Sequence, residues 1–144
     1  MAGSLKSRVR FVEPSRGVDL REYKVFVQDK PGELARVTEA LANQAVNIRA
    51  IASEGAKDSS FLRVVTNDVA TTEKAFPQAG FKYQANEIMS VELLDRPGEL
   101  AKIARRLARA GVNVESLYIL ATKNGKTEIA MVVSDTEKAK TALK

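Results

Sequence analysis

The sequence predicts an α+β protein built as two copies of one β-α-β-β-α-β unit. Three observations carry that reading: an internal repeat, one order of strand-like and helix-like patterns in both copies, and turn signals at matching places. Asp29-Lys30-Pro31-Gly32-Glu33-Leu34-Ala35 recurs as Asp95-Arg96-Pro97-Gly98-Glu99-Leu100-Ala101, 66 residues further on. Val37 then matches Ile103, Leu41-Ala42 matches Leu107-Ala108, and Val46-Asn47-Ile48 matches Val112-Asn113-Val114. From Asp29 to Ile48 ten of twenty positions are identical. Chance does not produce that, so the chain is a duplication.

Three segments are expected: an N-terminal arm over residues 1–22, a first unit over 23–88 and a second over 89–144. In the arm, Arg8-Val9-Arg10-Phe11 alternates polar and apolar residues with strand period, and Pro14-Ser15-Arg16-Gly17 closes it as a turn. In the first unit, Tyr23 to Gln28 alternates as a strand. Asp29-Lys30-Pro31-Gly32 is a turn, and a helix follows with Pro31 at its first position, where a missing N–H leaves nothing unpaired. Leu34, Val37, Leu41 and Ala45 share one face of it. Val46 to Ala52 is the second strand, Gly55 to Ser60 a polar hairpin turn, and Phe61 to Thr66 the third strand. A short helix starts near Asp68, whose side chain suits an N-cap, and Phe81 to Met89 forms the fourth strand.

The second unit repeats the order. Val91 to Leu94 is a strand, and Leu100, Ile103, Ala104 and Leu107 line a helix. Gly111 stands where a helix ends in a left-handed residue. Val112 to Leu120 and Glu128 to Val133 flank Lys123-Asn124-Gly125-Lys126, whose Asn-Gly step is a strong hairpin signal. A last helix starts near Asp135. Each unit is thus a split βαβ, ferredoxin-like sheet with both helices on one face. The sequence ends within the second short helix, so the second unit lacks its own fourth strand. The arm is a candidate for that place, with Val9 and Phe11 facing the helices. A loose basic arm is the alternative.

Composition narrows the chemistry. The chain has 144 residues, 44% of them hydrophobic, and no run of about 18 apolar residues that would span a membrane. The N-terminus has no apolar core of a secretory signal. With no cysteine and no histidine, thiolate and imidazole catalysis, disulfides and Cys/His metal sites are excluded. No cofactor and no metal site is read from the sequence. The cysteine-free composition fits a cytoplasmic protein. The net charge of +5 gathers in the arm and on one helix at Lys102, Arg105, Arg106 and Arg109. The helix cluster is read as a solvated face.

The motif has a chemistry of its own. A helix N-terminus presents unpaired N–H groups and partial positive charge, which suits a carboxylate. Gly32 and Gly98 let a ligand approach the backbone. Asp29 and Asp95 stand beside that point and can accept hydrogen bonds from an ammonium. One loop can therefore meet both charges of a zwitterion. The same residues also suit a plain turn and helix start.

Asp-x-Pro-Gly-Glu-Leu-Ala, then a helix and Val-Asn-Ile or Gly-Val-Asn-Val, resembles the ACT domain, and does so twice from Tyr23 onward. The resemblance implies a non-catalytic regulatory module that binds an amino acid or similar small zwitterion. It implies ligand contacts from Asp29 and Asp95, from the backbone at Gly32, Glu33 and Leu34 and at Gly98, Glu99 and Leu100, and at the second strand from Asn47 and Ile48 and from Asn113 and Val114. The asparagines would reach a neighbouring module's ligand. Some members carry a histidine two residues before the acidic position. Val27 and Leu93 stand there, which favours an apolar or aromatic effector. A homo-oligomer, a dimer, is expected, with a metabolic enzyme regulated in trans. Two alternatives use the same fold: a ligand-free oligomerisation module, and an RNA-binding sheet. The third strands, Phe61-Leu62-Arg63-Val64-Val65 and Glu128-Ile129-Ala130-Met131-Val132, lack the stacking motif the latter needs, so nucleic acid is ranked last.

Overall fold

A computed structural model describes residues 9–12, 20–55 and 60–144. The turn expected at Pro14-Ser15-Arg16-Gly17, residue Arg8 and the middle of the first hairpin turn lie outside the described residues. The chain forms two compact units, one of Pro14–Glu87 and one joining Met1–Glu13 to Ile88–Lys144. The arm strand β1 (Arg10–Phe11) belongs to the latter.

The first unit runs β2 (Arg21–Val27), α1 (Glu33–Ala42), β3 (Ile48–Glu54), β4 (Ser60–Thr66), α2 (Val69–Gln78) and β5 (Tyr83–Glu87). Its antiparallel sheet has the order β3-β4-β2-β5. Strand alternation turns Tyr23 and Val25 of β2, and Leu62 and Val64 of β4, toward the helices. There they meet Val37 and Leu41 of α1 and Phe76 of α2 in one core. Complete burial of a side chain such as Leu41 is worth about 1.5–3 kcal/mol. Tyr23 packs edge-on against Phe76 and Tyr83, with ring centroids 5.8 and 5.6 Å away. Asp68 caps α2 as expected, its Oδ1 accepting the Thr71 N–H at 3.1 Å.

The second unit runs β6 (Met89–Leu94), α3 (Glu99–Arg109), β7 (Val114–Lys123), β8 (Lys126–Val133) and α4 (Thr136–Leu143). Sheet order is β1-β6-β8-β7. Val91, Ile129 and Met131 meet Ile103, Leu107 and Leu143 in its core. Asn124 and Gly125 form the two-residue hairpin loop, both at positive φ (54° and 72°), as a turn matching strand twist requires. Asp135 caps α4 through the Lys138 N–H at 3.0 Å. At the edge of β6, Arg10 lies opposite Glu92 and Phe11 opposite Val91. The Val12 N–H donates to the Ser90 carbonyl at 3.0 Å. Val9 and Phe11 pack against the core.

Several boundaries differ from the sequence reading. The first strands begin two residues early, at Arg21 and Met89, and the fourth strand of the first unit narrows to Tyr83–Glu87. The larger correction concerns Pro31. The helix starts at Glu33, with Gly32 as its N-cap at φ 92°. Pro31 therefore precedes the helix, for a reason that lies in the turn.

Candidate functional site

Lys30-Pro31-Gly32-Glu33 is a type II β-turn. Proline at its second position has the fixed φ that the turn needs, and glycine at its third takes the positive φ. The Glu33 N–H donates to the Lys30 carbonyl at 3.5 Å, and Gly32 has φ 92° and ψ −13°. Arg96-Pro97-Gly98-Glu99 repeats this, with 3.4 Å for the bond and φ 89°, ψ −13° at Gly98. A side-chain carbon at either glycine would meet nothing within 4 Å. The backbone conformation, rather than a close neighbour, calls for glycine here.

Glu33 then turns inward. It is only 5% exposed. One carboxylate oxygen accepts the Gln28 N–H at 3.1 Å and the other accepts from Arg36 at 2.8 Å. Those two bonds, the arginine's first, hold its carboxyl below the usual glutamate value. Glu99 is buried in the same way, accepting from Arg96 at 2.6 Å and Lys102 at 3.2 Å. Both glutamate side chains thus tie the strand–turn–helix corner together. The next residues do the opposite: Leu34 is 55% and Leu100 41% exposed.

Asp29 is exposed, and its carboxylate faces Gly55, where a side-chain carbon would lie 3.9 Å from it. This brings the turn against the far end of β3 and the start of β4. A cleft of about 210 Å³ lies between them. Of the expected site residues, Asp29, Glu33 and Leu34 line it. The N–H groups of Leu34 and Ala35 belong to the first turn of α1, which has no intrahelical acceptors. Asn47 and Ile48 stand at the opposite end of α1, about 15 Å along a ten-residue helix. They do not share the Asp29 cleft within one unit. Asn113 stands likewise beyond α3, its N–H donating to Ser134 Oγ at 2.9 Å and its carbonyl accepting the Ser134 N–H at 2.9 Å.

The opposite wall of the cleft was not legible beforehand. Ser53, Glu54, Gly55, Ser60 and Phe61 supply it. Phe61 carries Lys24 Nζ 4.1 Å from its ring centroid, and Glu54 pairs with Arg63 at 3.1 Å. Only the hairpin-turn signal marks this segment as a loop, and nothing in it marks a wall of the cleft. In the second unit the Asp95 N–H donates to the Gly125 carbonyl at 2.8 Å, so turn and hairpin tip again meet. A larger cleft there, of about 340 Å³, lies along α3 and includes Glu99 but not Asp95 or Gly98.

The family model for the ACT domain matches residues 24–78 and 88–144. No curated protein matches the chain. Among solved structures, protein BT0572 from Bacteroides thetaiotaomicron is 25% identical, with a TM-score of 0.77, and the match covers 88% of each chain. The regulatory subunit of aspartate kinase from Thermus thermophilus, in its ligand-free form, is 19% identical with a TM-score of 0.64, covering 98% of this chain and 95% of that one. The corresponding subunit from Thermus flavus is 20% identical, with a TM-score of 0.64 over 94% and 92%. At these identities the two subunits share the fold.

Proposed function

This chain belongs to the ACT domain family, in tandem copies, and we propose on that premise that it senses a free amino acid and regulates an enzyme of amino-acid metabolism in trans. A small-molecule-binding regulatory role comes with the family. The amino acid is our own reading, and one observation carries it: the cleft of the first unit joins an exposed carboxylate, Asp29, to the start of α1. The ligand's ammonium meets Asp29, and its carboxylate meets the N–H groups of Leu34 and Ala35. Leu34, exposed beside them, meets an apolar side chain. Asp95 and Leu100 have the same parts at the second turn. Glu33 and Glu99 fix the corner through their hydrogen bonds. Asn47 and Asn113, remote from the turn of their own unit, serve the ligand of a neighbouring module in a homodimer. No step of catalysis is assigned to any residue.

Titration calorimetry with the twenty amino acids tests this. Wild type binds at least one, and D29N/D95N weakens that binding by about tenfold or more, the worth of a charge-assisted hydrogen bond. Unchanged affinity in the double variant contradicts the assignment. Sedimentation of a monomer at micromolar concentration contradicts the dimer.

A further inference from the structure

In the first unit the flank of α1 is closed by a phenylalanine. Val25 pairs with Tyr83, and the Phe26 N–H donates to the Lys82 carbonyl, which brings Phe81 beside Val27. The Phe81 ring is buried, and the Arg36 guanidinium lies 4.7 Å from its centroid. In the second unit Leu93 stands at the repeat position of Val27. The pairing of Arg10 with Glu92 places Val9 beside it. A valine thus holds the register position that a phenylalanine fills in the other copy, and Lys102 replaces Arg36.

A cleft of about 340 Å³ opens at this place, within the size range of small-molecule sites. Its floor is apolar: Val9, Leu93 and Ile103. Its rim is basic: Lys102, Arg105, Arg106 and Arg109. At the last three of these positions the first unit has Glu39, Ala40 and Asn43, so the charge is peculiar to the second. Lys102 is engaged by Glu99 at 3.2 Å, and Arg106 donates to the Lys144 carbonyl at 2.7 Å. Among the described residues Arg105 and Arg109 have no ion-pair partner. The carboxylate at the cleft, Glu99, is already bound by Arg96 and Lys102.

We propose that this cleft binds a small aryl anion, a carboxylate or sulfonate. Its ring lies against Leu93 and Ile103, where Phe81 lies in the first unit, with the Lys102 ammonium over its face. Its anionic group meets Arg105 and Arg109. A zwitterion is disfavoured, because its ammonium would enter a ring of cations whose one carboxylate is occupied. The cleft shares Glu99 with the expected site at the second turn but excludes Asp95 and Gly98, and it does not rest on the reading of that turn.

The probes are 3-phenylpropionate and its neutral amide, followed by ligand-detected NMR on the full chain. Wild type binds the carboxylate about tenfold more tightly than the amide, the difference expected of charged hydrogen bonds. V9F fills the cleft from within, abolishes binding and leaves the thermal midpoint unchanged or raised. R105Q/R109Q changes only exposed side chains and weakens carboxylate binding by about tenfold. The proposal is overturned by any of three results: no binding of the carboxylate at millimolar concentration, equal binding of the amide, or undiminished binding in R105Q/R109Q.

Discussion

Glu33 shows how a motif residue can be explained by the hydrogen bonds it makes within its own corner. Its place in Pro-Gly-Glu-Leu suggested a ligand-facing backbone, while its side chain gave no hint of direction. The direction follows once the type II turn points the chain back on itself: the carboxylate then reaches the otherwise unpaired Gln28 N–H. Its folded-state pKa lies below the ordinary 4.5, through Arg36 and then Gln28. A lowered carboxylate stabilises the fold above the unfolded-state value and loses that contribution as pH falls through the folded-state value. Thermal unfolding of wild type and E33Q should therefore differ most near neutrality and converge in acid below about pH 4.5. A difference that is constant with pH contradicts this role. Ala45 makes a second case. It lies in the turn that follows α1, at φ 57°, a left-handed conformation, where the other copy has Gly111 at φ 71°. A45G relieves that strain but adds freedom to the unfolded chain, for a net gain of about 0.5–1 kcal/mol. Chemical denaturation showing a loss of stability would exclude strain at this residue.

At the scale of elements, the helices and central strands were legible because their apolar periods are long and repeated. Their ends were less so. Pro31 suits a first helical position and the second position of a type II turn equally well. The positive φ of Gly32, which decides between them, is a property of the folded corner. The arm strand is shorter still. Alternation at residues 8–11 marked it, and no local signal names the edge that receives it; that edge is set by Val91 and Glu92 lying unpaired on one side of β6. Antiparallel pairing has an alternating pattern. Val12 bonds to Ser90, so Arg10, two residues away, bonds to Glu92, and the Phe11 N–H points away from the sheet. Hydrogen exchange should show slow amides at Arg10 and Val12 and a fast one at Phe11. Uniformly fast exchange across the three would mean that β1 does not close the sheet in solution.

For the whole molecule, duplication made the fold and the family readable, since a pattern met twice at one spacing constrains every element between. The clefts were not readable in the same way. They depend on residues distant in sequence that the fold brings together: Asp29 with Gly55 in one unit, Val9 with Leu93 in the other. The two copies have kept one turn geometry and diverged on their helix flanks, where Glu39, Ala40 and Asn43 of the first correspond in sequence to Arg105, Arg106 and Arg109 of the second. That divergence separates the shared Pro-Gly turn from features peculiar to one unit. The central claim is that the folded protein binds a free amino acid. The most direct measurement is a thermal-shift screen of the full chain against the twenty amino acids, each well above micromolar concentration. A ligand at one hundred times its dissociation constant stabilises by about 2.7 kcal/mol, so at least one amino acid should raise the midpoint by several degrees. A midpoint unmoved by all twenty contradicts the claim.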